Sequence, residues 1–117
     1  MRVGRMVDVA SDVFFALGDE TRVELVRRLS VFGPQPTLRL VEGLSISRQA
    51  DTRHLEVLEQ SGVVKSRKVG REVLRELDSV VLDNAATWLA QRAMEWDDRL
   101  DSLKRFVEGS REQEREL

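Results

Sequence analysis

Seven Lys/Arg side chains fall between residues 45 and 75 against four Asp/Glu, in a chain whose formal charge is −2. The stretch that carries them, Leu44 to Leu77, reads LSISRQADTRHLEVLEQSGVVKSRKVGREVLREL. Gln49, Thr52, Arg53, Glu56 and Gln60 recur at helical spacing on one side, opposite Ala50, Leu55 and Leu58, with Val57 at the border. Arg48 and Gln49 fall in the first turn, where their side chains can form paired hydrogen bonds to a guanine or adenine edge. Thr52 and Arg53, one turn on, can reach a base edge or a phosphate. Lys65, Arg67, Lys68 and Arg71 then flank Val69-Gly70, a tight-turn dipeptide between two β-prone runs. A helix offering short polar and basic side chains, followed by a cationic hairpin, suits the major groove and the backbone beside it. Glu56 and Glu59 lie further along, where phosphates repel a carboxylate, and confine the footprint to the N-terminal half of the helix. The competing reading is a solvated charged face, with hairpin charges that protect a sheet edge.

Other chemistries are poorly supplied. His54 is the one histidine and cysteine is absent. A tetrahedral zinc site takes three or four protein ligands, so no metal site is expected. Asp97, Asp98 and Asp101 fit a solvated helix face better than a calcium site. One histidine on such a helix makes no catalytic base, and no enzyme and no cofactor are expected. His54 either packs beside the core or donates to a phosphate.

The elements that position these residues follow from periodicity. Met6, Ala10, Val13, Phe14 and Leu17 make a first amphipathic helix that Gly18 stops. Asp19 can cap a second, whose buried face is Val23, Leu25, Val26, Leu29 and Phe32. Gly33-Pro34 and Gln35-Pro36 break the chain. Thr37 can cap a short third helix, Leu38 to Glu42. The turn Leu44-Ser45-Ile46 leads to Ser47, the N-cap of the DNA-facing helix, which Gly62 ends. A short helix joined by a small turn to an outward-facing one is a helix-turn-helix, and the hairpin adds a wing. From Asp78 or Ser79 a long last helix places Leu89, Ala93, Trp96, Leu100, Leu103 and Val107 at steps of three and four. That seam outruns a three-helix core and is expected to meet a partner helix. After Gly109 the charged tail, within 108–117, is expected to be loose.

Composition sets the frame. At 117 residues the chain has the length of a single domain. Without cysteine there is no disulfide and no thiol chemistry, which agrees with a cytoplasmic protein. No run has the length of a membrane span and VDVASD interrupts any signal-peptide core. Residues 76–117 carry six Lys/Arg against eleven Asp/Glu, so the basic middle adjoins an acidic end.

In this order the motifs resemble those of ArsR-type winged-helix repressors. ALGDETRVELVRRL is similar to that family's A-L-x-D-x-T-R-x-x-I-L-x-x-L, and SISRQADTRHLEVLEQSGVV to its S-x-x-A-x-S-R-H-L-x-x-L-x-x-x-G-L-V. WLAQRAMEWDDRLDSLKRFV resembles the last helix of a subgroup with W-x-x-R-L-x-x-L, at Trp96, Arg99, Leu100 and Leu103. The resemblance spans about residues 10–107, and T-R-H-L-x-V-L-x-x-x-G-V is its specific part.

It implies a mainly helical winged helix-turn-helix fold with a small β-hairpin, and a homodimer joined by its first and last helices. It implies a repressor of its own or adjacent genes on a pseudo-palindromic double-stranded operator. By position, Ser47, Arg48, Gln49, Thr52, Arg53 and His54 fall where the family meets DNA, and Arg67, Lys68 and Arg71 fall on its wing. Val13, Leu89, Ala93, Trp96, Leu100 and Leu103 fall to the dimer interface. Two positions depart from the pattern, Asp51 in place of a small apolar or β-branched residue and Glu20 in place of a proline, and the metal ligands of many members are missing. The alternative is a helical protein-interaction module that keeps the winged fold without binding DNA. A small effector beside Trp88 and Trp96 stays open.

Overall fold

A computed structural model gives the fold of residues 4–44 and 47–116. The chain divides into two units, Met1–Ala85 and Ala86–Leu117, taken in turn.

The first unit opens with α1 (Gly4–Ala16) and α2 (Glu20–Phe32). Asp19 caps α2 as its sequence position predicts, its Oδ2 accepting from the Arg22 backbone N–H at 3.1 Å. That hydrogen bond is the main reason the Asp19 carboxyl is held below its ordinary range. Gly33 ends the helix at φ 74°, a conformation cheap only for glycine. Leu25 and Leu29 are buried, but Val23 and Phe32, expected beside them, are exposed. The buried stripe is therefore narrower than the apolar spacing suggests.

After the break come β1 (Gln35–Pro36) and α3 (Thr37–Leu40). The third helix is shorter than expected, and Thr37 opens it without capping it. Arg28 Nη1 on α2 satisfies the carbonyls at its end, donating to Leu40 O at 2.9 Å and Glu42 O at 2.7 Å. Glu24, gripped by Arg27 and Arg28, has its pKa lowered to about 2. Ser45 and Ile46, and residues 1–3 of the expected loose N-terminus, lie outside the described residues.

α4 (Arg48–Gln60) follows, then β2 (Val64–Val69) and β3 (Glu72–Leu77). The register runs from Val64↔Leu77 to Val69↔Glu72, leaving Gly70 and Arg71 as the tip. Gly70 takes φ 63° there, as a two-residue hairpin requires. The sheet has three strands, in the order β1-β3-β2, where a two-stranded hairpin is expected from sequence. A two-residue strand ending in proline carries no pattern of its own. Its place comes from the free edge of β3, where Pro36 needs no donor.

Asp78 caps α5 (Ser79–Glu116), its Oδ1 accepting from the Val80 N–H at 3.1 Å. The first turns of this helix add Ala85 to a core of Val13, Ala16, Leu25, Leu29, Leu40, Leu55, Leu58, Val63 and Val64. Each fully buried aliphatic side chain contributes about 1.5–3 kcal/mol relative to exposure. Val13, assigned by resemblance to the dimer interface, is completely buried in this core. Packed in the protomer's own core, it has no surface left for a partner, so that assignment is corrected.

The second unit is helical to Glu116. The helix continues through Gly109, where a loose tail is expected from sequence. Leu89, Ala93, Trp96, Leu100 and Leu103 are all exposed, Trp96 at 59 %. Arg92 lies over the Trp88 ring at 5.0 Å from its centroid and pairs with Glu95 at 3.0 Å. No helix among the described residues is long and apolar enough to cross a membrane.

Candidate nucleic-acid interface

Ser47 starts the site. Its Oγ accepts from the Ala50 N–H at 3.2 Å, fixing where α4 begins. A hydroxyl keeps one donor free, so the same side chain can still meet an acceptor outside the protein. Arg48, Gln49, Thr52 and Arg53 are exposed and line one shallow concavity together with Glu56. Neither arginine is ion-paired among the described residues.

The opposite side of α4 goes inward, and its spacing decides the places of Asp51 and His54. Asp51, His54, Leu55 and Leu58 stand at i, i+3, i+4 and i+7 and share one stripe. Asp51 is 9 % exposed, and its Oδ1 has no hydrogen-bond partner among the described residues. It therefore does not confront phosphates. The His54 side chain is 17 % exposed, with Nδ1 3.1 Å from Arg22 Nη1 and 3.7 Å from Asp19 Oδ2. His54 is not on the row of Arg48, Thr52 and Arg53, and its placement there is corrected. The signal was present: a stripe defined by Leu55 and Leu58 includes 51 and 54.

The wing presents its cations on two faces. By strand alternation Val64, Ser66 and Lys68 share the face that looks toward α4, together with Val73, Arg75 and Leu77. Lys65 and Arg67 take the other face, where Arg67 Nε lies 3.4 Å from Glu76 Oε1. Arg71 stands at the tip. Arg67, Lys68 and Arg71 are thus all exposed, but only Lys68 shares a strand face with the α4 side.

Arg75 was counted among the cations of this stretch and does something else. It reaches from β3 to the Glu59 carboxylate on α4, donates from Nη1 to Ser66 Oγ at 2.9 Å, and from Nε to Thr37 Oγ1 at 3.2 Å. This ties wing, α4 and α3 at one point and neutralises Glu59. Arg22 plays a similar part at the middle of α4. Its Nε donates to Ala16 O at 2.6 Å and its Nη2 to Phe15 O at 3.4 Å. No sequence pattern separates such internal arginines from exposed ones, since both are polar positions.

The arrangement offers two directional cations, an amide and a hydroxyl on a capped helix end, with more cations on a flanking ribbon. Donors so arranged can meet base edges and phosphates. Among the described residues no three His, Cys, Asp or Glu side chains converge as metal ligands would.

No protein-family model matches the sequence. The chain is 43 % identical over 65 residues to the uncharacterized HTH-type transcriptional regulator YuzN of Bacillus subtilis (strain 168), covering 50 % of this chain and 71 % of that protein. It is 27 % identical over 79 residues to the transcriptional repressor SdpR of the same organism, covering 68 % of this chain and 87 % of SdpR. Its fold is similar to a solved ArsR-like transcriptional regulator from Rhodococcus sp. RHA1. There the TM-score is 0.77 at 37 % identity, with 86 % of this chain and 93 % of that one covered. Helix-turn-helix, wing and identity across almost the whole of that relative agree: the chain belongs to the ArsR-type family of winged helix-turn-helix transcriptional regulators.

Proposed function

We propose that this regulator works in the cytoplasm as a homodimeric repressor, and not as an enzyme. Each protomer inserts the N-terminal half of α4 into a major groove of a pseudo-palindromic operator near its own or adjacent genes. The two half-sites then lie about 34–36 Å apart on one side of the duplex. The observation that carries this is the exposed row Arg48, Gln49, Thr52 and Arg53, free of partners that would hold it inside the protein. Ser47 contributes from the cap, and Lys68 and Arg71, with Arg67 once released from Glu76, supply the flanking phosphate contacts. Pairing through Leu89, Ala93, Trp96, Leu100 and Leu103 is supported by their exposure, since apolar side chains in a row gain by meeting a second copy.

The test is a gel shift on the DNA upstream of the chain's own coding sequence, against a scrambled duplex, over a range of salt. Operator preference is expected, with affinity falling by orders of magnitude between about 50 and 200 mM salt. Equal, weak binding to both duplexes would instead favour an interaction module that has kept the winged fold.

A further inference from the structure

We infer that His54 is a positioning residue through which Arg22 sets the roll of α4 against the end of α1, so that operator preference depends on this bond and not on contact between the imidazole and DNA. The inference rests on the reading of α4 as the DNA-facing helix.

A guanidinium N–H can only donate, so Nδ1, 3.1 Å from Arg22 Nη1, accepts and the ring carries its proton on Nε2. Asp19 Oδ2, 3.7 Å from the same nitrogen, already accepts from the Arg22 backbone N–H at 3.1 Å. The other edge of the guanidinium holds the Ala16 carbonyl at 2.6 Å and that of Phe15 at 3.4 Å. Both belong to the last turn of α1, where carbonyls lack helical donors and a cation is favoured. The group also lies over the Phe15 ring, 5.6 Å from its centroid. One planar cation thus grips the end of α1 and the middle of α4. Along α4, His54 adjoins Arg53 and is two residues from Thr52. A directional base contact tolerates roughly 0.5 Å and 10–20° of misplacement, whereas a charge near phosphates tolerates more. Loss of the Arg22 bond therefore lowers preference for the operator and spares general attraction to DNA.

Two full-length variants test this. In His54→Asn the amide oxygen stands near the place of Nδ1 and can accept from Arg22; in His54→Phe the ring stays and the acceptor goes. By anisotropy on operator and scrambled duplexes, Asn should keep the parent's affinity ratio. Phe should lower operator affinity about tenfold, the loss of one good base contact, with scrambled binding and dimer unchanged. If both variants weaken both duplexes equally, the imidazole touches DNA and the inference is overturned; if Phe keeps the ratio, the bond positions nothing and it is overturned again. The single histidine gives a readout in the parent that needs no variant. Its imidazole nitrogen resonances should report the Nε2–H tautomer in the free protein and stay put when operator is added. An Nδ1–H tautomer, or an operator-induced shift of Nε2, overturns the inference alone. A parent without operator preference overturns the DNA reading and this inference with it.

Discussion

Arg75, on the second wing strand, closes on Glu59 in the last turn of α4 while donating to Ser66 Oγ at 2.9 Å. One cation and one acid of the Leu44–Leu77 stretch thereby cancel each other, and the wing is fastened to α4. The tie is partly buried, with side-chain exposures of 22 % and 35 %.

Arg75→Met removes the donor and leaves Glu59, Ser66 and Thr37 without it. A stability loss of about 1–3 kcal/mol is expected, the usual cost of taking one partner from a charged hydrogen bond. Urea denaturation measures it. A change below about 0.5 kcal/mol would place the pair among exposed bridges that contribute little.

Arg53→Ala should weaken operator binding by about 1–3 kcal/mol, roughly 5–150-fold, if the guanidinium reads a base. If it holds a phosphate, affinity should fall on every sequence and the salt slope should drop by about one. Titrations at several salt concentrations separate the two. Binding as tight as the parent's at all of them would remove Arg53 from the interface.

Trp96→Ala truncates the largest exposed side chain of the proposed dimer seam. An aromatic anchor of this kind costs about 2 kcal/mol or more, so the dimer dissociation constant should rise about 30-fold. Sedimentation equilibrium over a dilution series reads it, and an unchanged constant would move the interface off this row.

Asp51→Ala deletes a buried carboxylate oxygen that lacks a partner among the described residues. Relief of that desolvation is worth about 1–3 kcal/mol. The lost attraction between a carboxylate and the helix N-terminus offsets about 0.3–1 kcal/mol. A rise in the denaturation midpoint is expected with DNA affinity unchanged, because the residue is inside. A less stable variant would mean that this carboxylate has a partner in solution.

Asp19 makes the fold sensitive to acid. Its pKa is lowered in the folded state, chiefly by the Arg22 N–H, so its contribution is complete above the ordinary carboxylate range. It is lost as pH falls through the lowered folded value. Asp19→Asn keeps a capping oxygen that does not titrate. The parent should therefore lose more stability than this variant between neutral pH and about pH 3. Paired urea melts at the two pH values compare them, and equal losses would mean that the cap carries no linkage.

Much of this molecule was written locally. Asp19, Ser47, Gly33, Gly62 and Gly70 mark ends and turns through their own hydrogen bonds or φ angles, and each does so in the fold. The spacing of Gln49, Thr52 and Arg53 put them on the outer side of α4 for the same reason: helical period depends on the chain alone. The inward side was legible too, since Asp51 and His54 fall on the stripe that Leu55 and Leu58 define. A carboxylate so placed runs against its desolvation cost, and polarity argued for the surface.

What local spacing leaves open is which charges neutralise each other. Arg22, Arg53 and Arg75 are alike in a string of letters. Only the meeting of α2 with α4, and of β3 with α4, makes two of them internal ties and leaves the third exposed. Val13 follows the same logic, since its apolar character fits a protomer core or a partner's surface equally. The choice fell to the packing of α1 against the rest, because burial depends on residues brought together from distant parts of the chain. The third strand is of this kind as well: Gln35 and Pro36 become a strand because β3 has an edge to share.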